Sequence, residues 1–207
     1  MPTVTRRLLI LNLIVFVLQM LRGEVVIARM ALWPLGEFPA PEVGFAVGFE
    51  VWQPFTYAFL HGNVAHLVLN MFALFMFGSE VERVLGGGYF LRLYGAAVLV
   101  AAGVQLAVVT ASGDVYPTVG ASGGVFGILL AYGMLFPDRM VMLLLPPIPM
   151  KAKYFVILYG AVELVSGVVG TRAGIAHFAH LGGMLGGLLV LLAWKRRMAR
   201  PRRPTFA

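Results

Sequence analysis

Apolar runs of membrane-crossing length recur through this chain, separated by short polar or proline-rich breaks. A helix that crosses the hydrocarbon core needs about 20 mostly apolar residues. Six stretches approach or reach that length, at roughly 8–27, 55–77, 89–109, 122–136, 154–169 and 175–194. They predict an all-α membrane protein with six transmembrane helices in one domain over 1–207. Composition agrees: the chain is 60% hydrophobic and 12% charged, with a mean hydropathy of +0.88, whereas soluble domains are about half apolar and a quarter charged. Arg6-Arg7 ahead of an apolar run resembles the start of a signal peptide, but no small-x-small cleavage site follows, so the first run reads as a retained helix. Cysteine is absent, which excludes disulfides, thiolate metal sites and cysteine nucleophiles.

Between the spans, residues 28–52 form a long loop rich in Trp, Phe and Pro, too apolar for a solvated linker and suited to the membrane interface. Glu80-Val81-Glu82-Arg83 with Gly86-Gly87-Gly88 reads as a tight polar turn. Residues 143–149, with three prolines, cannot be a continuous helix and read as interfacial. Residues 195–207 read as a basic, disordered tail. Six spans put both termini on one side, which then holds thirteen of the 16 Lys and Arg and leaves Arg22, Arg29 and Arg172 opposite. That bias makes the termini cytoplasmic in a bacterial or archaeal plasma membrane. The basic residues are thus topology signals, and nucleic acid is not an expected partner.

Polar side chains inside a bilayer are costly and usually face the bundle interior or a water cavity. Here they converge. His66 and Asn70 lie four apart on one face of the second span. Ser122, within Gly120-Ala121-Ser122-Gly123-Gly124, opens the fourth. His177 and His180 lie three apart at the start of the sixth. A serine hydroxyl becomes a nucleophile when a neighbouring imidazole takes its proton. A helix start offers free N–H groups and a favourable dipole for an oxyanion. Ser122 can therefore supply nucleophile and oxyanion donor together, with His66 and Asn70 as further donors. Each feature also has a plainer reading. Gly-Ala-Ser-Gly-Gly and Gly182, Gly183, Gly186 and Gly187 can be small-residue packing faces. Single His or Asn residues can be interhelical hydrogen-bond partners, and Glu163 can be a buried or cavity-facing structural group.

Taken together and in order, these residues resemble the rhomboid intramembrane serine proteases, from about residue 8 to 194. The elements are Trp52, His61 with His66-x-x-x-Asn70, Glu82-x-x-x-Gly86, Gly120-x-Ser122-Gly123 and Ala179-His180-x-x-Gly183-x-x-x-Gly187. The resemblance implies that Ser122 is the nucleophile and His180, rather than His177, the general base. His66, Asn70 and the Ser122 amide would form the oxyanion site, with Gly120 and Gly123 as supporting residues and the Phe126 ring stacked on His180. Gly183 and Gly187 would let the sixth helix press on the fourth. It implies a dyad with no third, carboxylate member, so that packing orients the imidazole, and it makes 28–52 a membrane-embedded first loop. Two positions depart from the family pattern: Gln53 stands where Arg often follows the loop tryptophan, and Phe126 where Tyr often follows the serine at plus four.

The resulting expectation is a serine endopeptidase that cuts transmembrane protein substrates near the outer leaflet of the lipid bilayer, at a small residue in a helix that can unwind, without metal or cofactor. The alternative from another class is a catalytically silent relative that binds or routes membrane proteins. A small channel or transporter fits less well, because few acidic groups lie in the spans and no inverted repeat is evident. The sequence carries no signal of oligomeric state.

Overall fold

The shortest of the apolar helices sits at the centre. The computed structural model describes residues 1–142, 147–169 and 176–199. Its helices are α1 (Thr3–Met30), a short α2 (Gln53–Thr56), α3 (Val64–Ala73), α4 (Ser79–Leu85), α5 (Gly87–Ser112), α6 (Ser122–Leu135), α7 (Ala152–Val169) and α8 (His177–Met198). A 3-10 turn (Tyr57–Phe59) follows α2, and a π-helical turn (Leu74–Gly78) joins α3 to α4 without a break. Five units, α1, α3 through α4, α5, α7 and α8, are long and apolar enough to cross a membrane. The sixth apolar helix, α6, has 14 residues. At 1.5 Å per residue it is about 21 Å long, short of a hydrocarbon core of about 30 Å. Nine of those residues are buried, so α6 is enclosed by protein, and large apolar side chains such as Ile14, Leu21, Ile157, Val165 and Leu189 point outward from the surrounding helices.

The structure corrects several sequence boundaries. The second span does not begin at Phe55. Gln53 and Pro54 open the short α2, a 3-10 turn follows, and the membrane helix starts only at Val64, where the Asn63 side chain caps it by accepting from His66 N–H at 2.8 Å. The expected polar turn at Glu80–Arg83 is helical and belongs to α4. The turn comes at Gly86, with φ +75°, a left-handed conformation suited to glycine. Helix α1 runs on to Met30, through a kink at Arg22. Helix α8 runs to Met198, so the helix includes the first residues of the expected disordered tail. The rest of that tail, 200–207, lies outside the described residues, as do 143–146 and 170–175. Beside 143–146, Met140–Met142 (β3) and Pro149–Lys151 (β4) pair antiparallel, an element the sequence reading did not include. Lys153 and Lys151 flank Asp138 at 2.9 and 3.2 Å and hold its carboxyl below the ordinary range.

The loop after α1 is folded rather than loose. Its strands β1 (Glu37–Phe38) and β2 (Val47–Gly48) pair antiparallel around a small core of Ala28, Ala40 and Val47. The last carbonyls of a helix lack intrahelical donors, and here side chains supply them. Trp52 Nε1 donates to Arg29 O at 2.9 Å and Thr56 Oγ to Met30 O at 2.7 Å, while Trp33 Nε1 adds a second donor, at 3.3 Å, to Ile27 O, which also accepts from Ala31 N–H. Gln53, at the position where the family often has Arg, is fully buried and ties the loop from both ends: its amide oxygen accepts from Trp33 N–H and its amide nitrogen donates to Gly48 O.

The start of α1 is held by a carboxylate 77 positions away. Glu82 accepts from the Thr5 N–H and hydroxyl through one oxygen, both at 2.7 Å, and from Val4 N–H through the other at 2.9 Å. A negative group at a helix N-terminus satisfies free donors and favours the dipole. Glu82→Gln should lower the unfolding free energy in detergent by at least about 2 kcal/mol, since hydrogen bonds to charged groups contribute about 1.5–3 kcal/mol each, and Thr5→Ala should lower it less. Melting of Glu82→Gln at the wild-type temperature would remove this carboxylate from the account of stability.

Candidate active site

Ser122 is the first residue of α6, and its approach is fixed by the folded loop and the turn after α2. Thr118 pairs with Leu32 through two backbone hydrogen bonds, at 2.9 and 3.0 Å. Gly120 N–H then donates to Tyr57 O at 3.0 Å, and the Tyr57 hydroxyl donates to Val98 O at 2.8 Å. Gly120 has φ +136°, and a Cβ there would come within 3.0 Å of the His66 ring. Only glycine satisfies both constraints, which explains its place two residues before the serine.

His180 reaches Ser122 because α8 lies against α6 at backbone distance. A Cβ at Gly183 would overlap the Gly123 carbonyl oxygen, and one at Gly187 would come 2.7 Å from Gly127 Cα. One turn earlier on α8, His180 Nε2 stands 2.8 Å from Ser122 Oγ. The Phe126 ring stacks on His180, with centroids 4.3 Å apart and planes 8° from parallel. These are the contacts anticipated for Gly183, Gly187 and Phe126.

The His66 ring lies beside Gly120, close to the serine. Its partner ring is His61, 5.1 Å away and edge-on. His61 is fully buried, and Gln19 of α1 clamps its backbone, donating to His61 O at 2.6 Å and accepting from His61 N–H at 3.0 Å. Asn70 is buried and uses one amide hydrogen on His66 O at 2.9 Å, which leaves its second N–H free to donate. The N–H of Ser122, in the first turn of α6, has no intrahelical acceptor. The His66 ring of α3 and the first turn of α6 therefore both border Gly120 next to the Ser122 hydroxyl. Ser122, His66 and His180 are all only partly buried, so the serine can be reached.

One sequence expectation is overturned on the far side of His180: a carboxylate does stand there, and it belongs to Glu163, the group read from the sequence as buried or cavity-facing. Glu163 Oε2 lies 2.7 Å from His177 Nδ1 in a well-formed hydrogen bond, and 2.9 Å from His180 Nδ1. The second contact lies off the N–H direction, so it has the distance of an ion pair without the alignment of a hydrogen bond. Both side chains of that second contact are 12% exposed. The three groups put one oxygen and two ring nitrogens within 4.8 Å of one another, a spacing that could hold a metal ion. The two short separations are those of shared protons, however, whereas ligand atoms around tetrahedral zinc stand about 3.3 Å apart. The signal in the sequence was a lone carboxylate in an apolar span, expensive unless paired; its partners sit 14 and 17 positions later, across an interhelical connection. Gln19, Tyr57 and Thr118 carried no such signal, because each acts on backbone atoms.

A family model described as the Rhomboid domain matches residues 48–197. The chain belongs to the rhomboid family. It is 33% identical over 146 residues to a presenilin-associated rhomboid-like protein A, mitochondrial, of Danio rerio, covering 68% of this chain and 38% of that protein. It is 28% identical over 93 residues to the rhomboid protease GlpG of an Enterobacter species, covering 45% and 31%. It is 34% identical over 96 residues to the rhomboid protease GluP of Bacillus subtilis, covering 46% and 18%. The matched region thus spans well under half the length of these relatives. With its apolar helices, the rhomboid domain here is an integral membrane protein.

The glycine contact generates a prediction about stability. Gly183→Val should melt at least about 1–3 kcal/mol below wild type in detergent, the usual effect of overpacking. Gly88→Ala, where an added Cβ meets nothing within 4 Å, should match wild type or exceed it slightly. Equal melting of Gly183→Val and wild type would show that α8 can stand off from α6 at no expense.

Proposed function

We propose that this rhomboid protein is an intramembrane serine endopeptidase, with Ser122 as nucleophile and His180 as general base. The observation that carries the reading is the 2.8 Å contact between Ser122 Oγ and His180 Nε2, at the start of a buried helix. Two of the relatives are named proteases, which supports the same class.

In this mechanism Ser122 Oγ attacks the carbonyl carbon of the scissile peptide as its proton passes to His180 Nε2. The oxyanion that forms is received by the Ser122 N–H at the positive end of α6, by the His66 ring and by the free N–H of Asn70. Collapse of the intermediate breaks the C–N bond, and His180 returns the proton to the departing amine. Water then attacks the serine ester, with His180 taking and returning a proton a second time. The substrate must expose an extended peptide bond to the space between His66 and His180, so a transmembrane segment that unwinds locally is the fitting class. With the termini cytoplasmic, the start of α6 faces the outer leaflet, and water reaches the serine from that side.

Ser122→Ala and His180→Ala should each reduce cleavage of a tagged single-span substrate in membranes by at least about 10³-fold, the scale seen when such groups are removed, and leave thermal stability near wild type. Fluorophosphonate should label wild type at Ser122 and fail to label either variant. Full cleavage by Ser122→Ala would sink the serine mechanism, and a folded wild type that neither labels nor cleaves would favour the silent binding or routing factor.

A further inference from the structure

We infer that Glu163 is a positioning residue for His180, so that the site works as a Ser122–His180–Glu163 line, with His177 steering the carboxylate. The inference rests on the serine-protease reading above and adds a third member to it.

The argument starts from a proton count. A neutral imidazole carries one N–H and one lone pair. For His180 to take the Ser122 proton, the lone pair must be on Nε2, the nitrogen 2.8 Å from Oγ. The resident proton must then be on Nδ1. That nitrogen is buried and faces Glu163 Oε2 at 2.9 Å. A carboxylate accepts and cannot donate, so it selects the Nδ1–H form. The opposite tautomer would set a lone pair against an anionic oxygen and turn an N–H toward the serine, which disables the base. When the ring gains the serine proton, the same oxygen faces a positive charge at contact distance. That attraction depends on separation more than on alignment.

His177 has a different part. It lies one turn before His180 on α8, and its Nδ1–H makes the aligned 2.7 Å bond to the same Oε2. It holds the carboxylate between the two rings. The Ser122 hydroxyl lies 58 positions before His180 and on the other side of its ring, so Glu163 touches no reacting atom and acts only through the imidazole. Stacking by Phe126 restrains the plane of the ring, but it leaves open which nitrogen holds the proton. The carboxylate supplies that choice.

The test uses the full chain in detergent or nanodiscs, with Glu163→Gln, Glu163→Ala, Glu163→Asp and His177→Ala. The Gln variant keeps an acceptor and removes the charge, whereas Ala removes both. Glu163→Gln should lower kcat on a tagged transmembrane substrate 10-fold or more with KM within twofold of wild type. Glu163→Ala should lose more, and Glu163→Asp should recover part. His177→Ala should lose at least fivefold less than Glu163→Ala. Histidine 15N NMR should assign the Nδ1–H tautomer to His180 in wild type and a shift toward Nε2–H in Glu163→Ala. Wild-type kcat in Glu163→Gln would overturn the inference. So would equal losses in Glu163→Ala and His177→Ala, which would mean that Glu163 only ties α7 to α8, or an unchanged His180 tautomer in Glu163→Ala. The tautomer is read without turnover, so it tests Glu163 even if wild type fails to label with fluorophosphonate, a result that would count against the protease reading alone.

Discussion

The approach of α8 to α6 is the contact on which the rest of the molecule depends. Two helices with ordinary side chains between them lie about 8–10 Å apart, and glycines on both faces let the backbones come closer and fix the depth at which His180 meets Ser122, at 2.8 Å. Here Gly123 and Gly127 on α6 meet Gly183 and Gly187 on α8, with no room for a methyl group on either side. Ala97 and Ala101 of α5 complete the same contact from a third direction. Lipid tails offer no hydrophobic gain over protein, so close van der Waals packing is what can hold such helices together in a bilayer. The residues that allow the approach of Ser122 and His180 are also those that hold the bundle together.

Around this apolar contact, a few polar side chains hold backbone atoms that water cannot reach. Glu82 takes the free donors of α1, Gln53 ties both ends of the folded loop, and Gln19 clamps His61. Each lies on a different element from the atoms it serves, and each is nearly or fully buried. In a medium with no competing solvent, an unmade backbone hydrogen bond is expensive, so each such residue fixes the position of a whole segment. The chain from Gln19 to His61 to His66 carries that fixation to one wall of the site. The Leu32–Thr118 pairing and the Tyr57–Gly120 bond carry it to the serine.

Much of this was legible in the sequence. The apolar runs located the five helices long enough to cross a membrane and the shorter apolar α6, because the runs are long and their breaks are marked by Gly, Pro or charge. Ser122 and His180 were legible because polar residues are rare inside a bilayer and stand out, whereas Phe126 and the glycines, ordinary residues of membrane helices, gained a role in the site only through the resemblance to the family pattern. What escaped were contacts with no local pattern. The Asn63 cap displaced the start of the second membrane helix by nine positions from Phe55, since the run through 53–63 conceals a short helix, a 3-10 turn and an extended cap residue. Glu80 to Arg83 looked like a polar turn, yet α4 continues through them, because Glu82 turns inward to α1 while Glu80 pairs with Arg83 and Arg139. Glu163 was visible as an anomaly, but its partners lie on another helix, and only packing brings them to it.

Helix α7 buries only Ala152, Phe155 and Val156, all in its first turns, and Glu163 lies well beyond them. Its outer half meets α8 through that carboxylate and through small contacts such as Gly167 against Phe178. The group facing the imidazole is therefore mounted on a stretch of α7 that buries little against its neighbours. Anything that wedges this stretch outward, whether a guest polypeptide, a detergent molecule or a thinner bilayer, withdraws the anion from the ring in the same movement. If Glu163 positions His180 as inferred above, the spacing between α7 and α8 and the protonation of that imidazole are set by the same contact.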